Sequence, residues 1–172
     1  MRSRSEDTWF VREIEAMAPT MFRVAFAILR NRTDCEDAAQ NAVLKAYTSL
    51  DTLKERRYFR TWLIRILKNE CMNYSRAARR TVSLEACEPM GYEMEVPDLD
   101  LNRAFDTLSP DERLVITLYY YEGYSSKEIA KICEVTDGAI RSRLSRARES
   151  LREQLSGKEM QHNEEPLSFK IP

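Results

Sequence analysis

Apolar residues recur every three or four positions along most of the chain, and alternating apolar runs are absent, so the pattern predicts helices throughout. Trp9, Phe10, Ile14 and Met17 form a first stripe, which the pattern breaks at Pro19, and Met21, Phe22, Ala25, Phe26 and Leu29 form a second. Thr33 and Glu36 have capping-box spacing, and Asp34 and Asp37 suit the positive end of a helix dipole. The helix expected over 34–50 buries Ala38, Ala39, Ala42, Val43, Ala46, Tyr47 and Leu50. Its other face shows Asp37, Gln40, Asn41, Leu44 and Lys45, a leucine among polar groups that fits a protein contact. A third helix over 59–79 buries Phe59, Leu63, Ile66 and Leu67.

Periodicity then lapses. Residues 81–99 are acidic, contain Pro89, Gly91 and Pro97, and read as a flexible linker that could reach roughly 60 Å fully extended. Helical spacing returns over 101–108. Ser109-Pro110-Asp111-Glu112 combines a serine cap, a first-turn proline and a capping-box glutamate, so a helix starts there. Leu114, Val115, Leu118 and Tyr119 carry it to Gly123. Ser125 and Glu128 form another capping box, followed by the stripe Ile129, Ala130, Ile132 and Cys133. Glu134, Val135 and Thr136 interrupt it, with Thr136 placed to cap the next helix. In that helix Ile140, Leu144, Ala147 and Leu151 share one face. Its outer face carries Arg141, Ser142, Ser145, Arg146 and Arg148. Two short helices around a tight break, the second lined with arginine, suit a helix-turn-helix in the DNA major groove. Arginine pairs with phosphate or a guanine edge, and serine donates to either. Gly138 leaves room for a sugar-phosphate backbone. From Gly157 the chain reads as a flexible tail.

The architecture expected is therefore all-α: two small helical domains over 8–80 and 100–156, joined by the acidic linker 81–99 and followed by a tail over 157–172. The 172 residues include four glycines and six prolines, and 27 basic against 28 acidic side chains. The near-zero sum hides segregation. Lys54, Arg56, Arg57, Arg60, Arg65, Lys68, Arg76, Arg79 and Arg80 face only Glu55 and Glu70 between 52 and 80, whereas 81–112 is acidic apart from Arg103. A polyanion is attracted by local patches, not by the sum.

The basic block interleaves its cations with Tyr58, Phe59, Trp62 and Tyr74, while Asn69 and Asn73 offer amide edges. Cations track phosphates and aromatic rings stack on unpaired bases, so this mixture suits single-stranded DNA. Trp62 lies beside buried Leu63 and reads as core; Tyr58 and the arginines before it sit in a loop. Cys35, Cys71, Cys87 and Cys133 are scattered and the one histidine, His162, lies near the end. That spacing argues against a zinc site or a disulfide framework and for reduced thiols in the cytoplasm, with Cys133 in the core. No signal peptide, membrane span, phosphate loop or nucleophile elbow is evident, and no cofactor is expected.

Four blocks carry a family resemblance: Asp34-Cys-Glu-Asp-Ala-Ala-Gln-Asn-Ala-Val-Leu-Lys-Ala-Tyr47, Phe59-Arg-Thr-Trp-Leu-Ile-Arg-Ile-Leu-Lys-Asn69, Leu108-Ser-Pro-Asp-Glu-Arg-Leu-Val-Ile116, and the helix-turn-helix over 124–148. In order and spacing, over about 10–155, they resemble a bacterial RNA polymerase sigma factor of the small, two-domain extracytoplasmic-function (ECF) type of the sigma-70 family. The resemblance implies a core RNA polymerase-binding face at Asp37, Gln40, Asn41 and Leu44, docking on the clamp coiled coil of the largest subunit. It implies capture of a base flipped from the −10 element by the loop 53–58 and the helix behind it, through Arg56, Arg57, Tyr58, Arg60 and Asn69. It places Gly138, Arg141, Ser142, Ser145 and Arg146 at the −35 element. An anti-sigma factor is the further partner it implies. Two positions depart from the family pattern: Asn41 replaces a usual acidic residue, and Glu134 stands where the turn often has glycine.

Two other readings compete. A stand-alone helix-turn-helix regulator would bind duplex DNA by itself, with the N-terminal module dimerising or sensing. An enzyme acting on nucleic acid would need clustered carboxylates near the basic surface, whereas the acidic residues fall mostly in the linker.

Overall fold

The computed structural model describes residues 4–81 and 99–162. Its N-terminal module comprises α1 (Arg4–Leu29), α2 (Arg32–Thr48) and α3 (Phe59–Thr81), with single 3-10 turns at Leu50–Thr52 and Arg56–Tyr58. The C-terminal module comprises α4 (Leu99–Asp106), α5 (Pro110–Ile116), a π-helical turn (Thr117–Tyr121), α6 (Ser126–Cys133) and α7 (Asp137–His162). The expected linker lies outside the described residues but for its ends.

The break expected at Pro19 does not form; α1 runs through it. Pro19 is exposed, so the carbonyl left without a donor can be solvated. Met17, Met21, Val24, Ala25 and Ile28 stay on one buried face. Burying two such side chains offsets the roughly 3 kcal/mol that an interior proline costs. The cap of α2 also differs. Asn31, not Thr33, accepts from the backbone N–H of Asp34 at 3.0 Å, so the helix begins two residues earlier. Arg30, at φ 56°, makes the turn between α1 and α2 in the left-handed region. Helix α7 continues past Gly157 to His162, which moves the expected start of the tail; residues 163–172 lie outside the described residues.

Other local expectations hold in part; Ala39, Val43, Leu50 and Ile66, expected in the core, are half-buried. Cys35, Ala38, Ala42 and Ala46 are the buried row of α2, small enough to let α1 and α3 pack closely on it; Tyr47 is exposed instead of buried. Phe59, Trp62, Leu63, Ile64 and Leu67 fill the centre, with Trp9 and Phe10 edge-on to the Phe59 ring at 5.0 and 5.8 Å. Two of the three predicted capping boxes are present, Ser109 with Glu112 and Ser125 with Glu128; the one expected at Thr33 and Glu36 does not form. The hydrogen bonds from each serine hold both glutamates below the usual carboxylate range. Buried Ile129 and Ile132 of α6 meet Ile140 and Leu144 of α7. Cys133 is half-buried against this core.

The two modules pack against each other, α1 on α5 and α3 on α6. The core residues of both belong to one apolar cluster.

Candidate nucleic-acid and polymerase interfaces

The turn between α6 and α7 sets the direction of α7. Glu134 closes α6 at φ 59°, ψ 42°, the left-handed conformation that glycine would adopt without strain. The departure from the family pattern therefore keeps the turn geometry and accepts its cost. Thr136 Oγ1 then accepts from Ala139 N at 3.2 Å and starts α7. With Ile140, Leu144 and Ala147 buried, Gly138, Arg141, Ser142, Ser145 and Arg146 all face solvent together. A Cβ on Gly138 would meet nothing closer than Thr136 Oγ1 at 4.0 Å, so this end is open to an approaching backbone. Arg141 is held one turn back by Asp137 at 3.2 Å. Arg143 is not part of this face; it reaches Asp111 on α5 at 3.5 Å and ties α7 to α5.

The basic aromatic block divides into two surfaces. Arg57, Tyr58, Leu53, Thr61, Trp62 and Arg65 line a cavity of about 600 Å³ behind the loop. Tyr58 is 44% exposed, and Arg57 lies 4.8 Å from the centroid of its ring. Arg57 is also paired with Glu55 at 2.9 Å. Arg56 lies over the Trp9 ring at 4.5 Å, and Arg60 is exposed on the first turn of α3. Asn69 stands apart. It lies eleven residues beyond Tyr58, about 16 Å along the helix, and opens on another cavity of about 340 Å³ with Lys45, Ser49, Glu70 and Asn73. The structure thus brings Arg57 and Tyr58 into one pocket and leaves Asn69 to a neighbouring one, where Asn73 supplies a second amide. Glu70, buried at the base of that second cavity, pairs with Lys45 at 2.6 Å.

On α2, Asp37, Gln40, Asn41 and Leu44 are all exposed at i, i+3, i+4 and i+7 spacing, and Leu44 is 62% exposed. Asn41 donates to Tyr74 Oη at 3.1 Å, which anchors the amide to α3. Gln40 and Leu44 border an apolar groove of about 800 Å³ between α1 and α2, floored by Phe10, Ile14 and Met21. Sequence reasoning missed Val11, 54% exposed on the far wall, because it sits inside the Trp9–Phe10 stretch that otherwise reads as core. It also missed Tyr120 and Tyr121, which the π-helical turn rotates outward with Tyr119.

Burial pushes the Cys35 and Cys71 thiols up to about 12, so both behave as small apolar groups. Among the described residues no cluster of His, Cys, Asp and Glu could hold a metal ion, and no helix is long and apolar enough to cross a membrane.

The family model for sigma-70 region 2 matches residues 14–81, and that for sigma-70 region 4 matches residues 98–151. The E. coli K12 protein named ECF RNA polymerase sigma-E factor is 33% identical over 137 residues, which cover 69% of this chain and 72% of that one. The chain belongs to the sigma-70 family of RNA polymerase sigma factors, in its ECF branch. A probable RNA polymerase sigma factor of Xanthomonas campestris, RfaY, is 32% identical over 158 residues, but the chain spans only 40% of that relative's length. Among solved structures, the sigma factor RpoE of Bartonella quintana, in complex with the anti-sigma factor NepR, superposes with a TM-score of 0.73 at 30% identity, covering 86% of this chain and 96% of that one. The region 2 match thus falls on α1 to α3 from residue 14, and the region 4 match on α4 to α7 as far as residue 151.

Proposed function

We propose that this chain is a promoter-specificity subunit that joins core RNA polymerase, reads the −35 and −10 elements and promotes strand opening. The observation that carries the reading is the presence, on one chain, of two exposed basic surfaces of different chemistry. The outer face of α7 is a rigid row of arginine and serine suited to the edges of closed duplex. The loop before α3 offers a half-exposed aromatic ring among cations beside a cavity, suited to an unstacked base. Flipping a base costs a few kcal/mol, which stacking and phosphate contacts must offset.

In this reading Arg141, Ser142, Ser145 and Arg146, with Gly138 for close approach, contact the −35 element. Tyr58, with Arg56, Arg57 and Arg60, holds the displaced −10 strand, and Asn69 reads a neighbouring base from its own cavity. Asp37, Gln40, Asn41 and Leu44 dock on the polymerase clamp. The chain works in the cytoplasm and does no chemistry of its own; polymerase forms the phosphodiester bonds. Since the Bartonella relative is held by an anti-sigma factor, we infer a partner of that kind, and the apolar groove beside Leu44 suits it. A stand-alone duplex reader would have no use for a region 2, and that module occupies nearly half of this chain. Run-off transcription from a genomic library with purified core polymerase tests the proposal. Discrete transcripts that require the chain support it; duplex binding without any transcript would overturn it.

A further inference from the structure

Asp137 opens α7 with a half-buried side chain, one oxygen of which, Oδ1, is buried and has no hydrogen-bond partner among the described residues. The other oxygen, Oδ2, lies 3.2 Å from the guanidinium of Arg141 one turn on, whose side chain is 69% exposed. A buried acceptor without a donor is unfavourable. The positive end of the α7 dipole offsets part of that cost, but a fully solvated carboxylate would serve the dipole as well. What burial adds is immobility. With Oδ1 packed against the protein the carboxylate cannot turn away, and Oδ2 stays aimed at Arg141.

Arg141 shares the outer face of α7 with Arg146, and both are exposed. One turn before Arg146 stands Ser142, which brings no charge. The difference decides what each arginine can recognise. A free guanidinium is drawn to any phosphate, because phosphates carry the same charge whatever the sequence. A guanidinium beside a fixed carboxylate loses most of that attraction. It keeps donors for O6 and N7 of guanine, which are recognised by geometry, and a fork already held in place loses less freedom on pairing. The alternative is an ordinary i,i+4 pair that steadies the helix, common on exposed faces. That accounts for Oδ2 and leaves the burial of Oδ1 unexplained.

We propose that Asp137 is a positioning residue that confines Arg141 to reading bases, raising discrimination between the −35 element and other duplex at some loss of raw affinity. This role rests on the sigma-factor reading, in which α7 meets the −35 element. Asp137 touches no base and acts through Arg141. Asp137→Asn keeps the size of the side chain and removes its charge. Arg141 is then free to take a phosphate and release about one more counterion, so the dependence of log affinity on log salt steepens by about 0.9. At about 0.15 M salt that release amounts to about fivefold in affinity. Non-specific duplex gains it; the −35 duplex, where Arg141 is already engaged, does not.

The test uses the full chain bound to core polymerase and two probes. One is a −35 duplex from a promoter found by run-off transcription; the other is the same duplex with its −35 bases scrambled. Affinities are read by fluorescence anisotropy across a salt series. Asp137→Asn should bind the scrambled duplex about fivefold more tightly, with its salt slope steeper by about 0.9, and leave the −35 duplex little changed. Asp137→Glu, which keeps the charge, should stay near the wild-type ratio. In an Arg141→Ala background, Asp137→Asn should leave the ratio between the probes unmoved. Equal tightening on both probes would overturn the proposal, since losing a negative charge near DNA does that without any positioning. So would equal weakening on both, the mark of a helix-stabilising role alone, or a fall in the ratio that persists without Arg141. If the chain yields no transcript with core, the sigma-factor reading fails. The same ratio, measured with the full chain alone on a duplex selected from a random pool, then decides the role of Asp137.

Discussion

Replacing Glu134 with glycine should stabilise the chain without adding a single contact. At φ 59° and ψ 42° the glutamate Cβ crowds the backbone, at a cost of roughly 1–2 kcal/mol. Glycine removes that crowding but returns about 0.5–1 kcal/mol, because its unfolded chain has more freedom to lose. The carboxylate is 57% exposed and 4.0 Å from Lys68, a surface pair of about 0–1 kcal/mol at most and weak at this distance. The net gain is about 0.5–1 kcal/mol, or roughly 1–4 °C in Tm for a chain of this size. Thermal unfolding of wild type, Glu134→Ala and Glu134→Gly separates the contributions. Alanine loses the carboxylate but keeps Cβ, so it should melt at or below the wild type, and glycine should melt above both. If glycine melts no higher than alanine, the left-handed backbone is not the source of strain.

Further outcomes follow from the surfaces. Arg146→Ala should weaken binding to −35 duplex by about 1–3 kcal/mol, the range for one specific base contact, and leave core affinity intact; competition assays against both partners would expose an equal loss, which contradicts the assignment. Tyr58→Ala should cost about 1–3 kcal/mol in binding a −10 single strand with polymerase present, without changing −35 affinity, as read by fluorescence anisotropy on the two probes. Leu44→Asp should reduce core binding at least tenfold, because it removes an exposed leucine worth about 1.5–3 kcal/mol on burial; pull-down with purified core that shows no change would remove α2 from the docking face. The capping glutamates Glu112 and Glu128 have folded-state pKa values depressed by hydrogen bonds from Ser109 and Ser125. Their contribution is complete above the unfolded value near pH 4.3 and is lost as pH falls through the lower folded values. Melting temperatures should therefore drop below about pH 4.5, and less steeply in Glu128→Gln.

Where neighbours in sequence make the structure, the sequence was legible. Ser109 with Glu112 and Ser125 with Glu128 are bonding patterns closed within four residues, and the outward set on α7 follows from Ile140, Leu144 and Ala147 alone. Pro19 misled because its penalty is local while the compensating burial of Met17 and Met21 depends on α2 and α3. Asn31 displaced Thr33 as a cap because the left-handed Arg30 turns the chain early, and a non-glycine residue gives no warning of that. The separation of Asn69 from Tyr58 follows from helix rise and was available from spacing. The approach of Lys131 to Tyr58, and of Arg113 to the end of α1, was not. Both join residues more than seventy positions apart, and periodicity within one helix carries no record of such pairs.

The most direct test of the central claim is permanganate reactivity of thymines around a start site found by run-off transcription. Core polymerase with the wild-type chain should render thymines of the −10 region reactive, core alone should not, and Tyr58→Ala should suppress the reactivity while Arg146→Ala changes only the concentration required. If the wild-type chain binds the promoter with polymerase yet leaves every thymine protected, the division of the molecule into a duplex reader and a strand holder is wrong.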